Sequence, residues 1–545
     1  MGVATRGSAT VRGGSLVLFS IWLGFGVLML AISRYDLGGV IWHVYLPGVL
    51  LTLFFVAGLV ASRRFTAVWD HGFVPTIPIP GWMWIGVVGG VLAAIVLSVH
   101  GPIPTAAAVW LGCWALGTAY ALSILTEGDV FRRAVAWPIW ITIFLIALLL
   151  GTIGIGAMAD NASILTVIFY LALLLFTFHV WFVLPFSLYQ AAATEEVSSS
   201  AVLPPIDVLI PAYQEKGVVG DCIEAVLNTT YPEEKMNILV IDDGSTDGTF
   251  EEAAQFRDRN VRVIRRKNGG KPRALNLGIQ CTTNPVVVTV DADSRPEPRT
   301  IGRMVRQLQA NPEVGALSAA VLPINDTSVI GALQRLEYAV SNTNRRAYSA
   351  FGAVPVVPGC CGVYRRAALE DVWGYDPDTV TEDFDITVKL LKAGWIVRHG
   401  AGTVWTIAPS GWRALWRQRL RWYRGGFQTI RKHREVLRSP QYGYLHALTL
   451  PVRTVSQLFT PLASFVILGA VVWGLVTGPS TYLLVLLALF FMLTMQIGAF
   501  TVVLEDEPWW TVAYAPFLFV GYKHFVDATV GIGSIRAMLT DTTDW

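Results

Sequence analysis

Val286-Val-Val-Thr-Val290 runs directly into Asp291-Ala292-Asp293, and Ser294-Arg295-Pro296 closes the element. All five opening residues are β-branched and four are apolar, so the stretch reads as a buried strand of a parallel sheet. Ligands of open α/β sheets sit beyond the carboxyl ends of strands, which is where these two aspartates fall. Carboxylates one residue apart at a strand end suit a hard divalent cation that also touches phosphate oxygens. A lone DxD is more often just an acidic turn after a core strand, so its meaning depends on its surroundings.

Upstream, Ile206–Pro211, Asn237–Asp242 and Val261–Ile264 are further strand-like runs. Helical patterns near 217–229, 248–259 and 271–281 alternate with them. Repeated βαβ units predict a parallel sheet with helical crossovers. Each strand end offers ligand groups: Tyr213 and Glu215 after the first, Asp242-Asp243-Gly244-Ser245 after the second, and Asp291 and Asp293 after the fourth. Asn268-Gly-Gly-Lys271-Pro-Arg273 is a Gly-rich basic loop suited to hold phosphate at a helix N-terminus. Singly these have plainer readings, Asp242-Asp243-Gly244-Ser245 as a helix-capping turn and Lys271 as a solvated surface lysine. Their order at successive strand ends is much harder to obtain by chance. A dinucleotide site is disfavoured, because no GxGxxG follows the first strand.

Two constellations follow. Thr381-Glu382-Asp383 opens an amphipathic helical pattern. Thr381 as N-cap with acids in the first turn accounts for Thr381 and Glu382 and leaves Asp383 free to act as a general base. Gln418-Arg419-Leu420-Arg421-Trp422 lies in a Trp- and Arg-rich segment, Gly411–Arg434. At helical spacing Trp412, Leu415, Trp416, Leu420, Tyr423, Phe427 and Ile430 share one apolar face, the pattern of a helix on a membrane surface, unless Gly425-Gly426 breaks it. Gln418, Arg421 and Trp422 can then face a soluble domain.

The whole chain frames this domain. At 545 residues it exceeds one ordinary core, and 53% hydrophobic against 15% charged residues indicates a membrane protein. A net charge of +2 argues against a nucleic-acid binder. The five cysteines show neither zinc-site spacing nor a disulfide framework. Apolar runs near 15–33, 40–61, 82–99, 104–125, 134–156 and 163–189 predict about six spans in an N-terminal block, 1–190. Arg6, Arg12, Arg63, Arg64, Arg132 and Arg133 place the N-terminus in the cytoplasm. Six crossings then return the chain there for a soluble domain at 195–434. The C-terminal block, 445–545, carries spans near 452–476 and 481–503, and Trp509 to Val530 reads as either a full span or a broken helix.

With these motifs in place, the chain resembles the processive family-2 glycosyltransferases: cellulose, chitin, hyaluronan and poly-N-acetylglucosamine synthases. Asp242–Gly244, Asp291–Asp293, Thr381–Asp383 and Gln418–Trp422 stand as that family's DDG, DxD, TED and QxxRW, in that order. The resemblance implies a GT-A (Rossmann-like) cytoplasmic domain between two transmembrane blocks, with an amphipathic interfacial helix at 411–434. It implies an inverting enzyme of the plasma membrane that polymerises a UDP-sugar, UDP-N-acetylglucosamine favoured, and exports the product across the bilayer. Asp242 would hold the uracil beside Tyr213, with Glu215 lining that site. Asp291 and Asp293 would carry Mg²⁺ or Mn²⁺, and Lys271 and Arg421 would bind the diphosphate. Asp383 would be the catalytic base, and Gln418 and Trp422 would meet the acceptor. Gly359-Cys360-Cys361-Gly362 resembles the acceptor-pocket segment, where Cys360 and Cys361 read as small packing residues more readily than as chemistry. The expected partners are the UDP-sugar, the growing polysaccharide and the lipid bilayer, with no nucleic acid and an accessory subunit left open. The rivals are single-sugar transfer to a lipid carrier and, more distantly, a transporter or sensor with a degenerate nucleotide-binding domain. The six N-terminal spans exceed what the resemblance leads one to expect.

Overall fold

The computed structural model describes residues 203–324, 328–478, 504–518 and 520–539, with scattered positions at 183–191 and 491–502. The chain divides into two units, Met1–Pro185 with Val466–Val503, and Phe186–Phe465 with Leu504–Trp545. Five of the six expected N-terminal spans, nearly all of the sixth (163–189) and most of the span near 481–503 lie outside the described residues. In the first unit Ile497, Ala499, Phe500 and Val502 are buried.

The second unit is built on an eight-stranded sheet ordered β3-β2-β1-β4-β7-β6-β8-β5. Its strands are β1 Ile206–Ala212, β2 Met236–Asp242, β3 Val261–Arg265, β4 Val286–Val290, β5 Ser294–Pro296, β6 Val314–Pro323, β7 Cys361–Arg365 and β8 Ile396–Thr406. The helices are α1 Val219–Leu227, α2 Thr249–Ala254, α3 Lys271–Gln280, α4 Thr300–Ala310, α5 Val329–Ser349, α6 Arg366–Asp371, α7 Glu382–Lys392, α8 Trp412–Lys432, α9 Leu450–Leu458, α10 Thr460–Thr477 and α11 Tyr522–Leu539. β1 to β4 are parallel, as their βαβ pattern predicts. The rest is a correction: β7 runs antiparallel to both β4 and β6, and β5 antiparallel to β8, so the sheet is mixed, in a GT-A type arrangement.

All of β4 is buried, because both faces of the sheet are covered. Val208 and Ile210 of β1 pack with α1 and α4 on one face. Leu209, one residue out of phase, packs with α3 and α7 on the other. The chain turns from β1 to β2 and β3 on one side, then crosses to β4 on the other. That reversal opens a crevice between the carboxyl ends of β1 and β4, the topological switch point where open sheets bind ligands. The opposite end of these strands is closed by a buried clasp. Asp207 accepts hydrogen bonds from Arg366 Nη2 (2.8 Å), Asn237 Nδ2 (2.8 Å) and Asn284 N (2.8 Å).

The C-terminal segments depart from the expected spans. The stretch near 452–476 is two helices, α9 and α10, separated at Phe459, and α10 alone is long and apolar enough to cross a membrane among the described residues. Trp509–Leu518 is a 3₁₀ helix containing Pro516, and Gly521 (φ +80°) separates it from α11. α8 is one unbroken helix through Gly425-Gly426. Its apolar face meets protein at α11: the rings of Trp412 and Trp416 lie 5.1 and 5.5 Å from Phe525. Gly533 of α11 comes so close to α8 that an added Cβ would sit 3.1 Å from Arg424 N and 3.2 Å from Leu420 O.

Candidate active site

The strand ends that border the crevice are stitched together by polar side chains. Gln214 adopts a left-handed conformation (φ +58°), unusual for a side chain with a Cβ. It is held there because its backbone N–H donates to Ser245 Oγ (3.0 Å) and its amide exchanges hydrogen bonds with Thr246. This turn leaves Tyr213 exposed and Glu215 half-buried. Burial first, then the neighbouring Asp293 and Asp291, pushes the Glu215 carboxyl up to about 7.

Lys271, the first residue of α3, brings two motifs together. Its Nζ lies 2.5 Å from Asp291 Oδ1 and 3.0 Å from Glu382 Oε1. These two carboxylates hold the ammonium well above its usual range against the opposing effect of burial. Gly359 covers the same spot, since a Cβ there would collide with Lys271 Nζ and sit 2.9 Å from Asp291 Oδ2. Asp293 is oriented by Ser294 Oγ (3.1 Å) and Thr406 Oγ1 (3.4 Å), side chains brought side by side where β5 pairs with β8. Its carboxyl is held above the usual range by burial and by Asp291.

Asp383 is half-buried in the first turn of α7, and its Oδ1 accepts from Phe384 N (2.8 Å). Burial and the adjacent Glu382 push it up to about 6, while Lys271 pulls the other way. Thr381 stands at the N-cap position, yet its hydroxyl makes no capping bond, so the capping expectation fails. It packs instead beneath Gly425 of α8, where an added Cβ would lie 2.6 Å from Thr381 Cγ2 and 2.8 Å from its backbone N. Gly425→Ala should therefore displace the Thr381–Asp383 turn. A shift of about 1 Å in a catalytic group costs on the order of 10²-fold, read as turnover with donor affinity changed much less. Gly531→Ala in α11, where nothing lies within 4 Å of the added Cβ, is the matched control and should leave turnover unchanged.

Three expectations change. Asp242 is fully buried, and its carboxylate is engaged by Arg265 Nε (2.7 Å) and Ser245 N (3.1 Å), so it presents no surface to a nucleobase. Asp243, the second acid of the same motif, accepts from Arg266 Nη1 (2.7 Å), Gly269 N (3.1 Å) and Gly270 N (2.7 Å). The Gly-rich loop thus spends these N–H groups on a protein carboxylate, and its product is the placement of Lys271 rather than a phosphate cradle. Gly244 (φ +85°) completes the arrangement, because a Cβ there would lie 2.8 Å from Asn268 N. Cys361 is fully buried in the core beside Val290, so it lines no acceptor surface. Cys360 is half-buried, and its carbonyl receives Asp291 N at 3.4 Å. Burial pushes both thiols up to about 12, which leaves them protonated and suits packing.

On α8, Arg421 is exposed, and Gln418 and Trp422 are half-buried. Another acidic trio, Asp376, Asp378 and Asp385, has metal-like spacing, but Lys432 Nζ occupies it at 2.7, 2.7 and 3.0 Å. An ammonium already meets that demand for positive charge, and the trio ties the last turn of α8 to the start of α7.

The family profile for glycosyl transferase family 2 matches residues 207–373. The poly-beta-1,6-N-acetyl-D-glucosamine synthase of Staphylococcus epidermidis is 31% identical over 229 residues, 41% of this chain and 55% of that protein. The synthase of the same name from Staphylococcus aureus (strain MSSA476) is 30% identical over the same shares. The chain thus spans about half the length of these curated relatives. A mannosyltransferase from Pyrobaculum calidifontis, solved with GDP-Man and Mn²⁺, is 20% identical, with 67% of this chain and 97% of that one covered at a TM-score of 0.49.

Proposed function

Because residues 207–373 form a glycosyl transferase family 2 domain, we propose that the chain is a membrane-embedded, inverting polysaccharide synthase. In this reading it transfers sugar from UDP-N-acetylglucosamine to the end of a growing β-linked chain and passes the product across the plasma membrane. The observation that carries the proposal is the Lys271 ammonium, which joins Asp291 of DxD to Glu382 of TED at the switch point of the sheet. The choice of sugar rests on the staphylococcal relatives. The membrane setting rests on the apolar composition and on α10.

The donor set fits a hard cation, Mg²⁺ or Mn²⁺. It offers only oxygen ligands, and Glu215 and Asp293 are both raised in part by neighbouring carboxylates, a surplus of negative charge that a divalent ion relieves. Asp291 and Asp293 would hold the ion, which when bound supplies neutralisation of charge on the departing diphosphate. Lys271 adds positive charge beside the same phosphates, and Arg421 would reach them from α8. Tyr213 and Glu215 would flank the nucleotide at the end of β1. Asp383 takes the proton from the acceptor hydroxyl as it attacks the anomeric carbon. The Trp422 ring offers a face to the terminal sugar, with Gln418 beside it.

The test is a panel of radiolabelled UDP-sugars offered singly and in pairs to the full chain in lipid with Mn²⁺ or Mg²⁺, following UDP release. Release with UDP-N-acetylglucosamine alone supports the reading. A requirement for two donors replaces it with an alternating polymer, and no release with any donor overturns it.

A further inference from the structure

Arg419 lies inside the QxxRW segment at one of its unspecified positions, and its side chain is fully buried. Nη2 donates to Glu337 Oε2 of α5 at 2.6 Å, and Nη1 donates to the side-chain carbonyl of Gln418. The guanidinium lies over the Trp422 ring, 4.1 Å from its centroid. Glu337 Oε2 also accepts from the hydroxyl of Tyr522, the first residue of α11, at 2.5 Å. One buried cation therefore touches both side chains read as acceptor contacts, and its counter-ion is fixed by two further helices. Desolvating such a cation costs several kcal/mol, and an apolar residue of similar size often serves packing as well or better. What the ionic arrangement adds is geometry: a planar fork that orients an amide with one nitrogen, a carboxylate with another and a ring with its face.

We propose that Arg419 is the positioning residue of the acceptor platform, setting the ring plane of Trp422 and the amide of Gln418, with Glu337 and Tyr522 as its anchor. This inference rests on the acceptor role given above to Trp422 and Gln418. Because Tyr522 opens α11, the platform is tied to the same helix that covers the apolar face of α8.

Arg419→Lys tests the placement, since it keeps the charge and the reach to Glu337 but loses the planar stack and the second directed N–H. The full chain in lipid nanodiscs is imaged by cryo-electron microscopy with and without the substitution, and the Trp422 ring plane is read directly. The ring should leave its wild-type plane. The KM for a β-1,6-linked N-acetylglucosamine oligosaccharide should rise about tenfold, the scale of one desolvated cation–π contact, with donor KM unchanged within about twofold. A ring that stays in place, or donor and acceptor KM rising together with a fall in Tm, overturns the proposal and makes Arg419 a structural strut. Tyr522→Phe removes a single hydroxyl from the anchor and should raise acceptor KM alone by a few-fold; an unchanged value overturns the anchoring link. The ring plane is read without turnover, so a wild-type protein that transfers no sugar defeats the functional reading while the ring still decides the placement.

Discussion

Asp383→Asn should lower sugar transfer by about 10²–10⁴-fold, the usual contribution of a positioned general base, while UDP affinity stays nearly intact. The amide fills the same volume at the start of α7 and still offers an oxygen to Phe384 N–H, but it cannot accept the acceptor proton. The wild-type pH profile carries the same signature. The Asp383 carboxyl is pushed up to about 6 by burial and by Glu382, so it holds its proton below that pH and is a competent base only above it. Turnover should fall as pH drops below 6, and the share of this acid limb that belongs to Asp383 should be lost in the variant, leaving the shares of Glu215 and Asp293. Calorimetric UDP titration and initial rates of UDP release provide both readouts. Substantial transfer by the Asn variant would remove Asp383 from the role of base.

Lys271→Met should cost about 10²–10³-fold in turnover, the scale for losing one charge that stabilises the transition state. The substitution strips Asp291 and Glu382 of their common partner. It also removes a cation that holds the Asp383 carboxyl down. The acid limb of the residual activity should therefore move to higher pH, and donor affinity should fall alongside. A limb that stays near pH 6 would show that Lys271 does not communicate with Asp383, whatever happens to the rate. The far end of the sheet behaves differently. Arg366→Met breaks the buried pair with Asp207 and should cost about 3–5 kcal/mol of stability, read as a lower unfolding midpoint. Turnover per folded molecule should be unchanged, because that clasp lies away from the crevice.

The parallel half of the sheet was legible because its signal is local. Runs such as Val286–Val290 have to be strands buried on both faces, and the acids that end them fall at the switch point without further information. The antiparallel β7 was not legible. Cys361–Arg365 is five residues long, and what makes it a central strand is pairing with β4 and β6, which are remote in sequence. Side-chain partners were equally hidden. Nothing local says that Asp242 is claimed by Arg265 on the adjacent strand, or that Asp243 rather than a phosphate takes the N–H groups of Gly269 and Gly270. The Gly425-Gly426 pair looked like a helix break because glycine lowers helix propensity. Its reason is close approach, to Thr381 at Gly425 and to Gln457 at Gly426. Arg419 carried no local mark at all, since arginine is rarely fully buried and its partner Glu337 stands 82 residues away.

The most direct test of the synthase reading is product length at low turnover. The full chain in nanodiscs with Mn²⁺ is given UDP-[³H]N-acetylglucosamine, and products are sized when only a few sugars per enzyme molecule have been consumed. A processive polymerase gives long chains from a few active molecules beside unused acceptor. Single sugars that partition into organic solvent, with no long product at any turnover, would contradict the account and make the chain a lipid glycosyltransferase.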